Sequence, residues 1–284
     1  MIHVIYHHAD HDGRGSAAIL RRKFPDCNLI PMNYGETLPW NIITAEDTVY
    51  MVDFSLEPID RMVHLDRKCK QLIWIDHHAS SINDAAEVGF DPPGIRRIGT
   101  AGCELTWEYT YPDEPIPYII KHLGRYDVWD HSDTDTLPIQ YGMLMEDTSH
   151  ENNQVWNKVI DNNIHFKDEI LDRGNIIYPY QMKMYKEYAD SYAFDATIEN
   201  LRAIVINQGR CSSLAFESVW DDTKYDVMIS YACKGDKVSI SAYTPKGSSI
   251  DASELAGKFG GGGHKDASGW NEKSVTTFMN RLKL

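Results

Sequence analysis

Three short apolar runs in this chain each lead into an acid, and that repetition limits what it can fold into. Val4-Ile5-Tyr6 precedes His7-x-x-Asp10-x-Asp12-Gly13, Val49-Tyr50-Met51-Val52 precedes Asp53, and Leu72-Ile73-Trp74-Ile75 precedes Asp76-His77-His78. Brief apolar runs bounded by polar segments read as buried strands. Helical segments lie between them: Ser16–Lys23, ending near Pro25, and the stretch after Pro58 with Ile59, Met62, Val63 and Leu65 as its apolar side. Strands alternating with helices predict an α/β fold with a mostly parallel sheet. Ligand groups in such sheets sit in loops at the carboxyl ends of strands, where these acids fall.

Further along, residues 89–100 read as a loop, and Thr100–Tyr109 and residues 114–126 as helices. Residues 154–192 read as helix interrupted by Gly174 and Pro179, with the domain connection inside 165–195. The rhythm then changes. Leu201–Ile206 reads as a strand, Cys211–Trp220 as a helix, and Tyr225–Tyr231 and Lys237–Tyr243 as strands joined by a turn at Lys234-Gly235-Asp236. Asp251 and Glu254 open a helix over Ala252–Phe259, followed by Gly260-Gly261-Gly262-Gly263-His264. This predicts a second, smaller α/β unit.

The formal charge of −14 disfavours tight, backbone-driven binding to long nucleic acid but leaves small phosphorylated substrates open. Five scattered cysteines with no CxxC pair argue against a disulfide scaffold or a cysteine zinc site and point to a reducing compartment, the cytoplasm. No run approaches the apolar length of a membrane span, and Met1-Ile2-His3-Val4 does not read as a secretory leader.

His7, Asp10 and Asp12 can turn toward one point in a loop that Gly13 tightens. Acids gathered there with Asp53 repel one another unless cations intervene. Carboxylate and imidazole ligands suit manganese. Two ions about 3.5–4 Å apart need a bridging carboxylate, and Asp53 is the candidate, although alone it reads equally well as a cap on the following turn. Neighbouring strand residues face opposite ways, so one of His7 and His8 enters the site. His7 is the choice. Nothing local separates Asp127 from Asp130. The glycine run with His264 and Lys265 can cradle a phosphate or carboxylate.

Together these residues resemble the DHH phosphoesterase superfamily with a C-terminal DHHA1 domain, and short-oligonucleotide (nanoRNase-like) phosphodiesterases within it. Asp76-His77-His78 resembles the naming motif. His7-x-x-Asp10-x-Asp12-Gly13 resembles the first motif, Val52-Asp53 the second, and Tyr126-Asp127-x-Trp129 the fourth. Phe259 to Gly269 resembles the signature of the second domain. The resemblance implies a catalytic domain over residues 1–180, including a helical connector, and a substrate-binding domain over 195–284 across a cleft. It implies two Mn²⁺ ions, with Mg²⁺ or Co²⁺ as allowed substitutes. His7, Asp10 and Asp53 would hold one ion, and Asp12, Asp53, His77 and Asp127 the other. His78 and His264 would contact the phosphate, and Gly261, Gly262, Gly263, His264 and Arg210 would bind substrate.

Two departures stand out. His7 precedes Asp10 by three residues where many relatives have four, and Val238–Tyr243 carries no arginine, a gap that Arg210 or Lys246 would fill. The implied activity is hydrolysis of very short oligonucleotides or linear dinucleotides to mononucleotides. Alternatives are a cyclic-dinucleotide phosphodiesterase, a polyphosphate or nucleotide phosphatase, and a non-catalytic nucleotide sensor. A homodimer is compatible with each, and a membrane or long nucleic-acid partner is not expected.

Overall fold

The computed structural model describes residues 1–150 and 152–283. They fall into two compact units, Met1–Tyr178 and Pro179–Leu284. The first unit holds strands β1 (Ile2–His7), β2 (Asn28–Met32), β3 (Thr48–Val52) and β4 (Gln71–Ile75). Its helices are α1 (His11–Lys23), α2 (Asp60–Lys68), α3 (Ala79–Glu87), α4 (Gly102–Thr110), α5 (Tyr118–Asp127), α6 (Thr136–Met143), α7 (Asn153–Ile160) and the first part of α8 (Ile164–Tyr192).

The four strands pair in parallel in the order β2-β1-β3-β4. Side chains alternate between two covered faces, which is why each strand reads as a continuous apolar run. Val4, Tyr6, Tyr50, Val52, Ile73 and Ile75 pack on Ala17 and Leu20 of α1 and Leu105 of α4. Ile5, Val49, Met51, Leu72 and Trp74 pack on Met62 and Leu65 of α2. Each large apolar side chain buried this way contributes about 1.5–3 kcal/mol before entropy is counted. Because β1 lies between β2 and β3, the chain leaves β1 and β3 toward opposite sides of the sheet. This is a topological switch point, and it opens a crevice beyond the carboxyl ends of those two strands.

Local sequence fixes the turn into that crevice. Asp10 caps α1, accepting the Gly13 N–H at 3.0 Å. A Cβ on Gly13 would lie 1.9 Å from the His7 carbonyl oxygen, so only glycine lets the helix start this close to β1.

Two helical expectations need correction. The break in residues 154–192 falls between α7 and α8, and α8 then runs 29 residues straight through Gly174 and Pro179. Gly174 is there for packing: a Cβ would sit 1.8 Å from the Pro138 carbonyl oxygen. The helix expected over Cys211–Trp220 is only a 3₁₀ turn, Ser213–Phe216. Its first carbonyl, on Cys211, is taken by the Tyr243 hydroxyl at 2.7 Å, and only Ala215 and Phe216 are buried, too few for an apolar stripe.

The second unit contains β5 (Phe194–Ile198), β6 (Leu201–Ile206), β7 (Val227–Lys234), β8 (Lys237–Tyr243), β9 (Gly262–Gly263) and β10 (Ala267–Glu272), with α9 (Ala252–Gly257) and α10 (Val275–Met279). The sheet order is β5-β6-β7-β8-β10-β9. Only β6 and β7 run parallel. The β7–β8 hairpin turns through Gly235, at φ +62°, and Asp236, as the sequence predicts. Asp251 caps α9 through the N–H groups of Ser253 and Glu254, but the helix stops at Gly257 rather than Phe259. Strands β5 and β10 have no apolar run to announce them. The polar-looking Ala267–Glu272 is held by six paired positions with β8 and by Trp270, buried in the core. Among the described residues no helix is long and apolar enough to cross a membrane.

Candidate metal centre

Five elements of the first unit converge on one acidic point. β1 ends at His7, and the cap and first turn of α1 supply Asp10 and Asp12. Asp53 follows β3 in a left-handed conformation, φ +49°, its N–H held by the Ile75 carbonyl at 2.9 Å. Such a backbone is tolerated by Asp at a modest cost and concentrates at functional sites. Asp76, His77 and His78 follow β4, and Asp127 ends α5.

His77 shows the character of the cluster. Its Nε2 lies 3.2 Å from Asp53 Oδ1, 3.3 Å from Asp127 Oδ2 and 3.6 Å from Asp12 Oδ2. One imidazole nitrogen carries at most one hydrogen and cannot satisfy three carboxylates. No Lys or Arg forms an ion pair with Asp10, Asp12, Asp53, Asp76 or Asp127 among the described residues. Burial, reinforced by the charges of Asp12, Asp10, Asp127 and Asp76, pushes the Asp53 carboxyl well above the usual range. Burial and then Asp12 and Asp10 do the same to Asp127. Burial pulls His77 down, keeping the neutral imidazole that metals require. Donor atoms of His7, Asp10 and Asp53 lie within 4.8 Å of one another, as do those of Asp12, His77 and Asp127, and those of Asp53, His77 and His78. Oxygen and imidazole donors around uncompensated buried acids fit divalent cations.

The surroundings orient this set. Asp12 accepts the N–H groups of Gly102 at 2.7 Å and Cys103 at 2.6 Å, so its carboxylate caps the N-terminus of α4 from another helix. A Cβ on Gly102 would lie 2.7 Å from Asp53 Cβ and 3.1 Å from Asp12 Oδ2. Asp76 is fully buried and receives Trp74 Nε1 at 3.0 Å, the His77 N–H at 2.7 Å and His78 Nδ1 at 2.6 Å. His8 turns away, its Nε2 2.9 Å from Asn33 Nδ2, while His7 Nδ1 lies 3.0 Å from Asp10 Oδ2 and 3.9 Å from Asp53 Oδ2.

Sequence pattern does not single out Gly102, Cys103 or Glu104. A glycine opening a helix after a loop is the one available signal for the first two. Glu104 has none: burial first, then Asp12, pushes its carboxyl up to about 7, and it fits only because residue 124 is glycine, where a Cβ would meet Glu104 Cγ at 2.7 Å.

The remaining expected site residues lie in the second unit. Gly262 and Gly263 pair with β10, the His264 N–H bonds the Ala267 carbonyl at 2.8 Å, and residues 261–264 are exposed. Gly261 approaches β10 so closely that a Cβ would fall 2.1 Å from the Gly269 carbonyl oxygen. Arg210 is exposed in the loop after β6, with φ +53°.

A parallel sheet with acids and imidazoles at its switch point, followed by a separate α/β unit, defines the class. Residues 2–124, in the first unit, match the DHH family, N-terminal domain. The chain is similar over 98% of its length to the pGpG-specific phosphodiesterase PggH of Vibrio cholerae, covering 95% of that chain at 14% identity with a TM-score of 0.51. It is similar over 98% to the DHH domain of a member of a family of ribosomal proteins, covering 84% of that chain at 13% identity with a TM-score of 0.59. An exopolyphosphatase-related protein from Bacteroides fragilis matches over 99% of this chain and 90% of its own, at 17% identity and a TM-score of 0.50. These likenesses describe the fold. In sequence, the chain is 25% identical over 240 residues to the uncharacterised protein R106 of Acanthamoeba polyphaga mimivirus, a match that covers 78% of this chain and about half, 52%, of the mimivirus protein.

Proposed function

We propose that the chain is a two-metal phosphodiesterase that hydrolyses very short oligonucleotides or linear dinucleotides to mononucleotides. The observation that carries this reading is His77 Nε2 within 3.6 Å of three carboxylates, none of them ion-paired to a Lys or Arg among the described residues. In this reading His7, Asp10 and Asp53 hold one ion and Asp12, Asp53, His77 and Asp127 the other, manganese being the metal that suits the donors. Bound divalent ions supply a water of lowered pKa and neutralise charge on a phosphoryl group.

The chain's own residues do the rest. Asp53 lies 3.9 Å from His7 Nδ1 through Oδ2 and 3.2 Å from His77 Nε2 through Oδ1, one histidine of each donor set, Asp76 fixes the His78 ring through Nδ1, and His78 donates a hydrogen bond to a non-bridging phosphate oxygen. Burial works against protonation of His78, but Asp76, Asp12 and Asp10 outweigh it and hold its pKa above the ordinary imidazole value. We assign residues 1–180 as the catalytic domain and 195–284 as the substrate domain. His264 contacts the phosphate together with His78, and Gly261, Gly262, Gly263, His264 and Arg210 bind the substrate. The charge of −14 favours small substrates over long strands. Five free cysteines, three of them buried, suit the cytoplasm.

The experiment is a manganese-supplemented panel of short RNA, short DNA, linear and cyclic dinucleotides, polyphosphate and pyrophosphate, with products resolved by chromatography. Mononucleotides from a linear dinucleotide, with no phosphate from polyphosphate, support the proposal. The reverse pattern replaces it with a polyphosphatase.

A further inference from the structure

The aromatic residue at the mouth of the metal centre is Tyr34, which the activity described so far does not use. It lies just beyond β2, in a turn closed by the Glu36 N–H on the Asn33 carbonyl at 3.1 Å. Gly35 occupies the third position at φ +86°, where a type II turn requires positive φ. The turn is tied at both ends. The Asn33 N–H bonds Glu36 Oε2 at 2.9 Å, and Asn33 Nδ2 meets His8 Nε2 at 2.9 Å. Thus of two adjacent histidines, His7 enters the ligand set and His8 anchors the turn that carries Tyr34.

The ring that this turn presents touches the site directly. Its centroid lies 5.7 Å from the His7 ring, 6.1 Å from the His78 ring in an edge-on arrangement, and 4.9 Å from Phe54. Phe54 is 2% exposed and forms a fixed backing, whereas Tyr34 is 40% exposed. A large aromatic ring held by a locked turn, backed by a buried ring and left open beside two imidazoles is preorganised for a planar ligand group, at small entropic cost.

We propose that Tyr34 is a specificity-determining residue, its ring the shelf on which the nucleobase stacks when a nucleotide phosphate occupies the metal centre. The inference rests on the phosphodiesterase reading and sharpens it. A polyphosphate chain has no planar group to place there, whereas every nucleotide does, and base–aromatic stacking tolerates any base.

The test is calorimetric binding of GMP and of ribose 5-phosphate to the manganese-loaded full chain, as wild type, Tyr34→Phe and Tyr34→Ala. Stacking of one base corresponds to about tenfold in affinity or more. Wild type is expected to prefer GMP over ribose 5-phosphate by at least that factor. Y34A loses about tenfold in GMP affinity with ribose 5-phosphate unchanged, and Y34F stays within about threefold of wild type. Equal weakening of both ligands in Y34A, unchanged GMP affinity in Y34A, or a wild type that does not discriminate between them overturns the proposal. The phosphodiesterase reading fails on a separate result, absence of mononucleotide release from a linear dinucleotide, and the binding ratio still decides the role of Tyr34.

Discussion

Asp76 Oδ1 stands 2.6 Å from His78 Nδ1, and the carboxylate that makes this contact has no exposed surface. The pair is mutually stabilising. Burial opposes the Asp76 charge, but His78, through its charge and its hydrogen bond, and then His77 hold the carboxyl below its usual range. Removing the charge while keeping the shape separates orientation from metal binding. Asp76→Asn is expected to lower kcat on a linear dinucleotide about 10–100-fold, the usual cost of losing a partner that orients a site histidine. Manganese stoichiometry should remain that of wild type. The paired measurement is steady-state kinetics with metal analysis of the same preparation. Unchanged kcat contradicts the orienting role.

The acids that repel one another should make the metal-free protein pH-sensitive in a defined direction. Asp53 and Asp127 have folded-state pKa values raised by burial and by like charges. A raised carboxyl favours the fold while protonated, and that contribution is lost as pH rises above the ordinary carboxylate range of about 4 and through the folded value. In chelator, the Tm contribution of these groups therefore falls as pH rises. With manganese bound the fall is suppressed, because ligation requires the deprotonated form. Thermal melts across pH with and without metal, with D53N as the control that flattens the chelator curve, check the sign.

Gly102 lets the start of α4 lie against Asp53. Gly102→Ala brings a Cβ to 2.7 Å from Asp53 Cβ, backed by the rigid end of β3. The expected cost is about 1–3 kcal/mol of stability, as for overpacking in a fixed core, together with weaker manganese binding. Denaturant unfolding and metal titration measure the two, and a variant as stable as wild type with unaltered metal affinity contradicts the close approach.

His264 belongs to the second unit, so its loss should spare the metal centre. His264→Ala is expected to lower kcat/KM on a linear dinucleotide by about 10²-fold, the scale of removing one oxyanion donor, with manganese stoichiometry and Tm unchanged. Full activity in H264A removes that residue from the substrate site.

The sequence is informative where chemistry follows directly from local pattern. Apolar runs ending in Asp53 and Asp76 place those acids at strand ends, because a doubly covered parallel strand leaves an unmistakable apolar signature and Gly13 marks the close turn beyond β1. The resemblance, not the pattern, separates Asp127 from Asp130, since the two lie three residues apart at the end of the same helix. In the structure Asp127 reaches His77, whereas Asp130 pairs with Arg125 at 3.0 Å. The cap of α4 by Asp12 spans 90 residues of sequence, and no local rule reports a helix capped from another helix. Tyr34 is equally silent, because its meaning comes from a turn folded across His8. Strand β10 is hidden by its polar composition, its order coming from pairing with β8 rather than from its own residues.

As proposed above, Asp53 joins two ions in one hydrolytic site. The most direct measurement is manganese bound per chain, by metal analysis after equilibrium dialysis, with mononucleotide release from a linear dinucleotide assayed on the same wild-type and Asp53→Asn samples. Wild type is expected to bind two ions and show metal-dependent release, and D53N fewer than two ions with release reduced at least about 10³-fold. Two ions retained in D53N, or release that persists unchanged, would contradict that role of Asp53.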